Sequence, residues 1–223
     1  MSPVTFQVIE EAALLRHGGA ALAARLAVPK TAAELEATGD DRHLSLMSLR
    51  IFRAGLKHEL VDRKWPAFEE AFSGFDPARV AALHDEDLEA MLQDRRLIRH
   101  MGKLRAIRAN ATSMLAIASE HGSFAHWLAA WPTDDVTGLW AELKKRMRHL
   151  GGRSAPAYLR MVGKDTFVPT TSVERGLAYW QAMDGPLRTK ADLAAAQAIF
   201  NRWHEETSRP LCQLSQILAL SVD

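Results

Sequence analysis

Apolar residues recur along this chain at helical rather than strand spacing. Leu193, Ala196, Phe200 and Trp203 fall on one helical face, as do Leu211, Leu214, Leu218 and Ser221 near the C-terminus, because residues three and four apart share a side of a 3.6-residue turn. Both stripes predict core-facing helices, and Trp180 and Trp203 are assigned to packing rather than to a cofactor site. Helix starts are punctuated as well. Thr31 with Glu34 has capping-box spacing, and Asp76 before Pro77 sets a capping carboxylate ahead of a preformed first turn. Loops fall at 121–123, 131–137 and 183–189. The one stretch with β-favouring residues, 165–171, admits a short β-hairpin. The pattern as a whole predicts an all-α fold.

At 223 residues the chain is long enough for one sizeable core, or for two small helical lobes sharing a cleft, without a disulfide or a metal. Its 48% hydrophobic and 25% charged residues exclude a disordered chain and a membrane protein. Glu10, Glu11 and Arg16 interrupt the first apolar stretch before a signal h-region forms. The tail from 211 to 222, broken by Gln213, Ser215 and Gln216, is too short to span a bilayer and reads as a docking helix. Cys212 is the single cysteine, so neither an internal disulfide nor a thiolate zinc cluster is available. A cytoplasmic protein is expected, without membrane partners and without a cofactor.

Charge changes the picture. Between Arg95 and Lys164 there are 13 basic and 4 acidic residues, against 15 and 23 in the rest of the chain. A basic stripe on a weakly charged protein suits phosphate neutralisation, although a solvated helix face gives the same count. Within the stripe, the run Leu143-Lys144-Lys145-Arg146-Met147-Arg148-His149-Leu150-Gly151-Gly152-Arg153-Ser154-Ala155-Pro156 reads as helix, hairpin, helix. Leu139, Leu143, Met147 and Leu150 make the apolar side of the first helix. Gly151 and Gly152 permit a tight turn, Ser154 is the expected cap, Pro156 lies in the opening turn, and Gly163 closes the second helix. The whole hairpin spans about 139–163. A helix start presents unpaired amides and a positive dipole end, and glycine lets a phosphate approach them. Lys144, Lys145, Gly151, Gly152, Arg153 and Ser154 are therefore candidate DNA-binding residues. From local sequence alone, an ordinary helical hairpin with a solvated basic face fits equally well. Arg96, Arg99, His100 and Lys103 are expected together on one face of the longest basic helix, His100 and Lys103 as further DNA-binding candidates.

The segment 72–111 resembles the 3-methyladenine DNA glycosylase I family of the helix-hairpin-helix glycosylase superfamily. The resemblance rests on Phe75-Asp76-Pro77, Val80-Ala81-Ala82, Glu86-Asp87, Gln93-Asp94, Ile98-Arg99-His100, Gly102-Lys103, Ala106-Ile107 and Asn110-Ala111. It extends weakly back to Ala54-Gly55-Leu56 and forward to Gly163. It implies a two-lobed helical bundle, a single domain over 1–223, with a cleft that receives a flipped base and a hairpin that holds a phosphate. The implied activity is that of a monofunctional repair enzyme, a nucleoid-associated monomer that hydrolyses the N-glycosidic bond of an extruded alkylated purine in double-stranded DNA. The alternative is a non-catalytic binder of damaged or distorted DNA.

This sequence departs from the family at the pocket. Arg50 stands where the family carries a base-contacting Glu, and His58 replaces its Trp; both remain base-pocket candidates. The family's zinc site has no counterpart here, so no zinc is expected. No Asp follows the hairpin within 168–175, which leaves Asp165 and Glu174 as the nearest candidate acids, each also readable as a surface residue or a cap. Glu59 is a third candidate. Because neighbouring helical residues point about 100° apart, His58 and Glu59 are not expected to act on one atom.

Overall fold

The computed structural model describes residues 4–222, and among them helices are the only regular elements. In chain order they are α1 (Phe6–His17), α2 (Gly19–Ala23), α3 (Ala32–Glu36), α4 (Asp40–Arg53), α5 (His58–Ala71), α6 (Pro77–Ala81), α7 (Asp85–Gln93), α8 (Met101–His121), α9 (Phe124–Ala130), α10 (Val136–Arg146), α11 (Ser154–Val162), α12 (Thr171–Tyr179), α13 (Lys190–Thr207) and α14 (Leu211–Leu220). The expected caps form: the Thr31 and Glu34 side chains exchange bonds with each other's amides at 2.8 and 3.3 Å. Asp76 accepts from the Arg79 amide at 2.9 Å, with Pro77 opening α6. Among the described residues, no helix is long and apolar enough to cross a membrane.

The described residues divide into two compact units, one of residues 4–30, 132–139 and 163–222, the other of 31–131 and 140–162. In the first, α14 packs against α1, α12 and α13. Leu211, Leu214, Leu218 and Ser221 are all buried, as are Ala196, Phe200 and Trp203 of α13. The Phe200 ring stacks on Phe167 at 4.4 Å, and Trp203 meets Phe6 and Phe200 at 5.3 and 5.4 Å. Each such ring contributes about 1.5–3 kcal/mol through burial. Trp180 is likewise structural, its Nε1 donating to Ser221 Oγ at 2.8 Å.

The hairpin admitted at 165–171 does not form. The Thr170 amide turns to a near neighbour instead, donating to the Val168 carbonyl at 2.7 Å, and Thr170 then caps α12 by accepting from the Val173 amide at 3.2 Å. With no second strand beside it, β-favouring composition has nothing to pair with.

The second unit is built on α4, whose residues His43, Leu44, Met47, Ser48, Leu49, Ile51 and Phe52 are buried. Helices α5, α8 and α11 all pack on it. Tyr158 of α11 is fully buried, with its hydroxyl 3.0 Å from His43 Nδ1. Burial pushes this phenol well above its ordinary pKa, so it stays neutral and its hydrogen bond holds α11 to α4.

Asp165 shows how the first unit is tied together. Its two carboxylate oxygens accept from the Leu211 and Cys212 amides at 2.9 and 2.8 Å, capping α14 across 46 and 47 positions. Asp165→Ala is expected to destabilise the protein by about 1–2 kcal/mol, measured as a lowered urea midpoint; an unchanged midpoint would leave the cap without a role.

Candidate functional site

The second unit brings two groups of sequence-predicted residues onto helix ends. The first group is the connection between α10 and α11. Leu139, Leu143, Met147 and Leu150 are buried as expected, and the Met147 amide still reaches back to the Leu143 carbonyl at 2.9 Å. The helical ladder ends at the next residue. The Arg148 amide donates to Asn110 Oδ1 at 2.6 Å, and Asn110 Nδ2 donates to the Arg148 carbonyl at 3.2 Å. Asn110 lies on α8 and is fully buried, so its amide group replaces the helix as the partner of residue 148. The chain then turns through His149 and Gly152, both at positive φ, 61° and 57°. Only glycine adopts that conformation freely, and a Cβ added at Gly152 meets nothing within 4 Å.

Gly151, Gly152 and Arg153 are exposed, as are Lys144 and Lys145. Helix α11 starts one residue earlier than Ser154 as its cap would place it. Ser154 is its first helical residue, and the first bond of the ladder runs from the Ala157 amide to the Arg153 carbonyl at 3.2 Å. Pro156, lacking an amide hydrogen, fits that first turn. Gly163, at φ 95°, follows the last residue of α11 as expected. The turn is thus an exposed helix start with cations on the preceding helix, an arrangement that can receive an anion.

The second group lies where α4 ends and α5 and α8 begin. Arg50 sits in the last turn of α4, half-buried. His58 and Glu59 open α5 and are exposed, and Glu59 forms no hydrogen bond or ion pair among the described residues. Lys103, in the first turn of α8, donates to the Ala54 carbonyl at 2.9 Å and lies 5.5 Å from the Phe52 ring centre. It therefore supplies positive charge at the C-terminal end of α4, where the helix dipole favours a cation. His100 is the N-cap of α8, its Nδ1 accepting from the Lys103 amide at 3.3 Å.

Arg96 and Arg99 do not share that helix. Asp94 Oδ1 accepts from the Arg96 amide at 2.8 Å and turns the chain before α8 can begin. Arg96 is then held by Asp94 and Glu70, both at 2.9 Å. Other members of the basic stripe are also paired, Arg108 with Asp85 at 2.7 Å and Arg146 with Glu120 at 3.0 Å.

The candidate acids Asp165 and Glu174 belong to the other unit. Asp165 is occupied by the α14 cap, and Glu174 Oε1 accepts from the Leu187 amide at 3.2 Å. Both hold backbone in place. The residues present do not fit the zinc site that the family likeness implies: Cys212 is buried, and no three His, Cys, Asp or Glu side chains come together among the described residues.

This geometry belongs to a known class of helical protein. Residues 35–149, just over half of the chain, match the family model for methyladenine glycosylase, and the chain belongs to that family. The match takes in Arg50, His58, Lys103 and Asn110 and ends at His149, short of the glycine pair. Among its relatives, DNA-3-methyladenine glycosylase 1 of Escherichia coli K12 is 37% identical over 78 residues, 35% of this chain and 42% of that protein. DNA-3-methyladenine glycosylase of Haemophilus influenzae is 42% identical over 65 residues, 29% of this chain and 35% of that one. The matched stretch thus spans less than half the length of either relative. A crystal structure of 3-methyladenine DNA glycosylase I superposes with a TM-score of 0.51 at 28% identity, over 62% of this chain and 83% of that one. The Staphylococcus aureus enzyme, described as showing the basis of 3-methyladenine recognition, gives 0.51 at 27% identity over 56% and 77%.

Asn110 is the site residue that sequence reasoning left without a role. Its signal was a polar side chain on a face made by Leu104, Ile107, Ala111 and Met114, all buried. Asn110→Ala leaves two backbone groups of Arg148 unpaired and is expected to cost about 1–3 kcal/mol. Hydrogen exchange should show the loss first at residues 147–153; uniform loosening of the whole unit would contradict a local clamp.

Proposed function

We propose that this chain is a monofunctional DNA glycosylase of base-excision repair, using the 147–153 turn to hold a DNA phosphate and the end of α4 to receive an extruded damaged base. The observation that carries the reading is the exposed, Asn110-clamped turn in a chain that belongs to the methyladenine glycosylase family. Phosphate at the turn fixes position without reading sequence. Extrusion costs a few kcal/mol of stacking, least at a damaged pair, and hydrolysis then needs stabilisation of the positive charge developing on the sugar. Of the three candidate acids, Glu59 alone is not engaged in holding backbone, and it is assigned the water-orienting role. His58 beside it supports the base by stacking. The alkylated purine named for the relatives and a neutral 6-oxopurine lesion are the two substrates to try first.

A second reading, a non-catalytic binder of damaged or distorted DNA, draws on one specific observation: Asp165 and Glu174 are both committed to backbone amides. Base release by the purified chain from duplex DNA carrying either lesion separates the two. The glycosylase reading expects release, with Glu59→Gln about 100-fold slower and binding retained, as for loss of a general base. Tight binding with no released base at any lesion tried would select the second reading.

Gly152→Glu combined with Arg153→Glu should weaken binding to all DNA sequences alike. The slope of log affinity against log salt should fall by about 1 for each phosphate that the variant no longer neutralises. Wild-type affinity and slope in that variant would remove the turn from the interface.

A further inference from the structure

The end of α4 holds positive charge that no carboxylate answers. The Arg50 guanidinium makes no hydrogen bond among the described residues, and its Nε is closed off from solvent. Lys103 finds only carbonyl oxygens, those of Ala54 at 2.9 Å and Phe52 at 3.4 Å. Burial, then the nearby Arg50 charge, lowers the pKa of this ammonium; burial, then Arg53, lowers that of Arg50. Arg53 itself takes both oxygens of Asp62 at 2.8 Å, so that acid is already engaged. Four other arginines of this unit meet carboxylates: Arg42 with Glu69, Arg96 with Asp94, Arg108 with Asp85 and Arg146 with Glu120. Two adjacent cations without an anion are costly to maintain in a folded protein. They are also suited to a planar or tetrahedral group rich in oxygen acceptors, which a guanidinium grips with two parallel bonds.

We propose that Arg50 and Lys103 form a subsite for an oxygen acceptor of bound DNA, either the carbonyl edge of an extruded base or a backbone phosphate, and that this subsite rejects a cationic purine. The carbonyl edge of a 6-oxopurine presents O6 and N7 side by side, the pair that arginine reads bidentately. A purine carrying a positive charge meets repulsion from both residues in a partly dehydrated setting, where screening is weak. The subsite deepens the glycosylase reading and rests on it only for the identity of DNA as the source of the ligand.

The test is equilibrium binding of three small probes to the full chain at fixed low salt: inosine, inorganic phosphate, and 1-methyladenosine, a purine nucleoside that is cationic at neutral pH. Wild-type protein should bind inosine or phosphate roughly tenfold or more tightly than 1-methyladenosine. Preference for inosine identifies the base edge as the source, and binding of phosphate alone identifies the backbone. Arg50→Glu should reverse the preference toward 1-methyladenosine, whereas Arg50→Met and Lys103→Met should weaken the favoured probe about tenfold without reversing it. Equal or tighter binding of 1-methyladenosine by wild type, or no measurable binding of both inosine and phosphate, overturns the proposal. Because the readout is probe binding and not base release, a chain that binds inosine yet frees no base keeps the subsite and loses the glycosylase, and the opposite pair of results does the reverse.

Discussion

The exposed turn between α10 and α11 depends on one buried amide. Asn110 sits at zero exposure on α8 and gives both halves of its side chain to the backbone of Arg148. Without it, the first amide past the end of the α10 ladder would lose its protein partner, at a cost of about 0.5–1.5 kcal/mol. With it, residue 148 is fixed, His149 is carried into a left-handed conformation that a side-chain-bearing residue resists, and the exposed glycine turn follows at a set position. The same helix supplies Lys103 nearer its start and is capped by His100. Its buried face of Leu104, Ile107, Ala111 and Met114 makes α8 a rigid reference for both the turn and the end of α4. A site placed on one packed helix keeps its geometry better than one spread over loops.

Charge along the chain and charge in space differ within the second unit. Counted along the sequence, the stretch from Arg95 to Lys164 is strongly basic. In the fold, Arg96, Arg105, Arg108, Lys145 and Arg146 each lie within reach of a carboxylate. These partners are mostly exposed, and such pairs contribute only about 0–1 kcal/mol. A polyanion can therefore compete for the cations at small cost. Arg50 and Lys103 are different, since they have no carboxylate to surrender and lie partly out of water.

What could be read from the sequence was whatever the chain decides over three or four residues. The Thr31–Glu34 capping box, the Asp76 cap, the apolar stripes of α13 and α14, the turn at Gly151 and Gly152 and the stop at Gly163 all belong to that class. What could not be read depended on a competitor or a distant partner. Asp94 takes the Arg96 amide and so keeps Arg96 and Arg99 off α8, although their spacing is helical. The stretch 165–171 has the composition of a strand and no neighbour to pair with. Asp165 looked like a candidate acid because it follows the hairpin; its actual partners, the Leu211 and Cys212 amides, lie 46 and 47 residues away, beyond any local pattern. Ser154 falls inside the helix rather than at its cap because the Arg153 carbonyl opens the ladder.

The two departures noted in the sequence, Arg50 at the position of the family's base-contacting Glu and no acid after the hairpin, are physically connected. An enzyme that excises a cationic base starts with a good leaving group and needs a negative surface to hold it. In the proposed subsite, Arg50 with Lys103 alongside removes the attraction for such a base and instead favours one with carbonyl oxygens. A neutral base of that kind is a poorer leaving group until its developing negative charge is stabilised, and a half-buried guanidinium placed against its oxygens can supply that stabilisation. The burden then shifts from an acid that assists the sugar toward cations that assist the departing base. With Asp165 and Glu174 committed to backbone amides, Glu59 is the one candidate acid left for the first arrangement, while Arg50 and Lys103 supply the second.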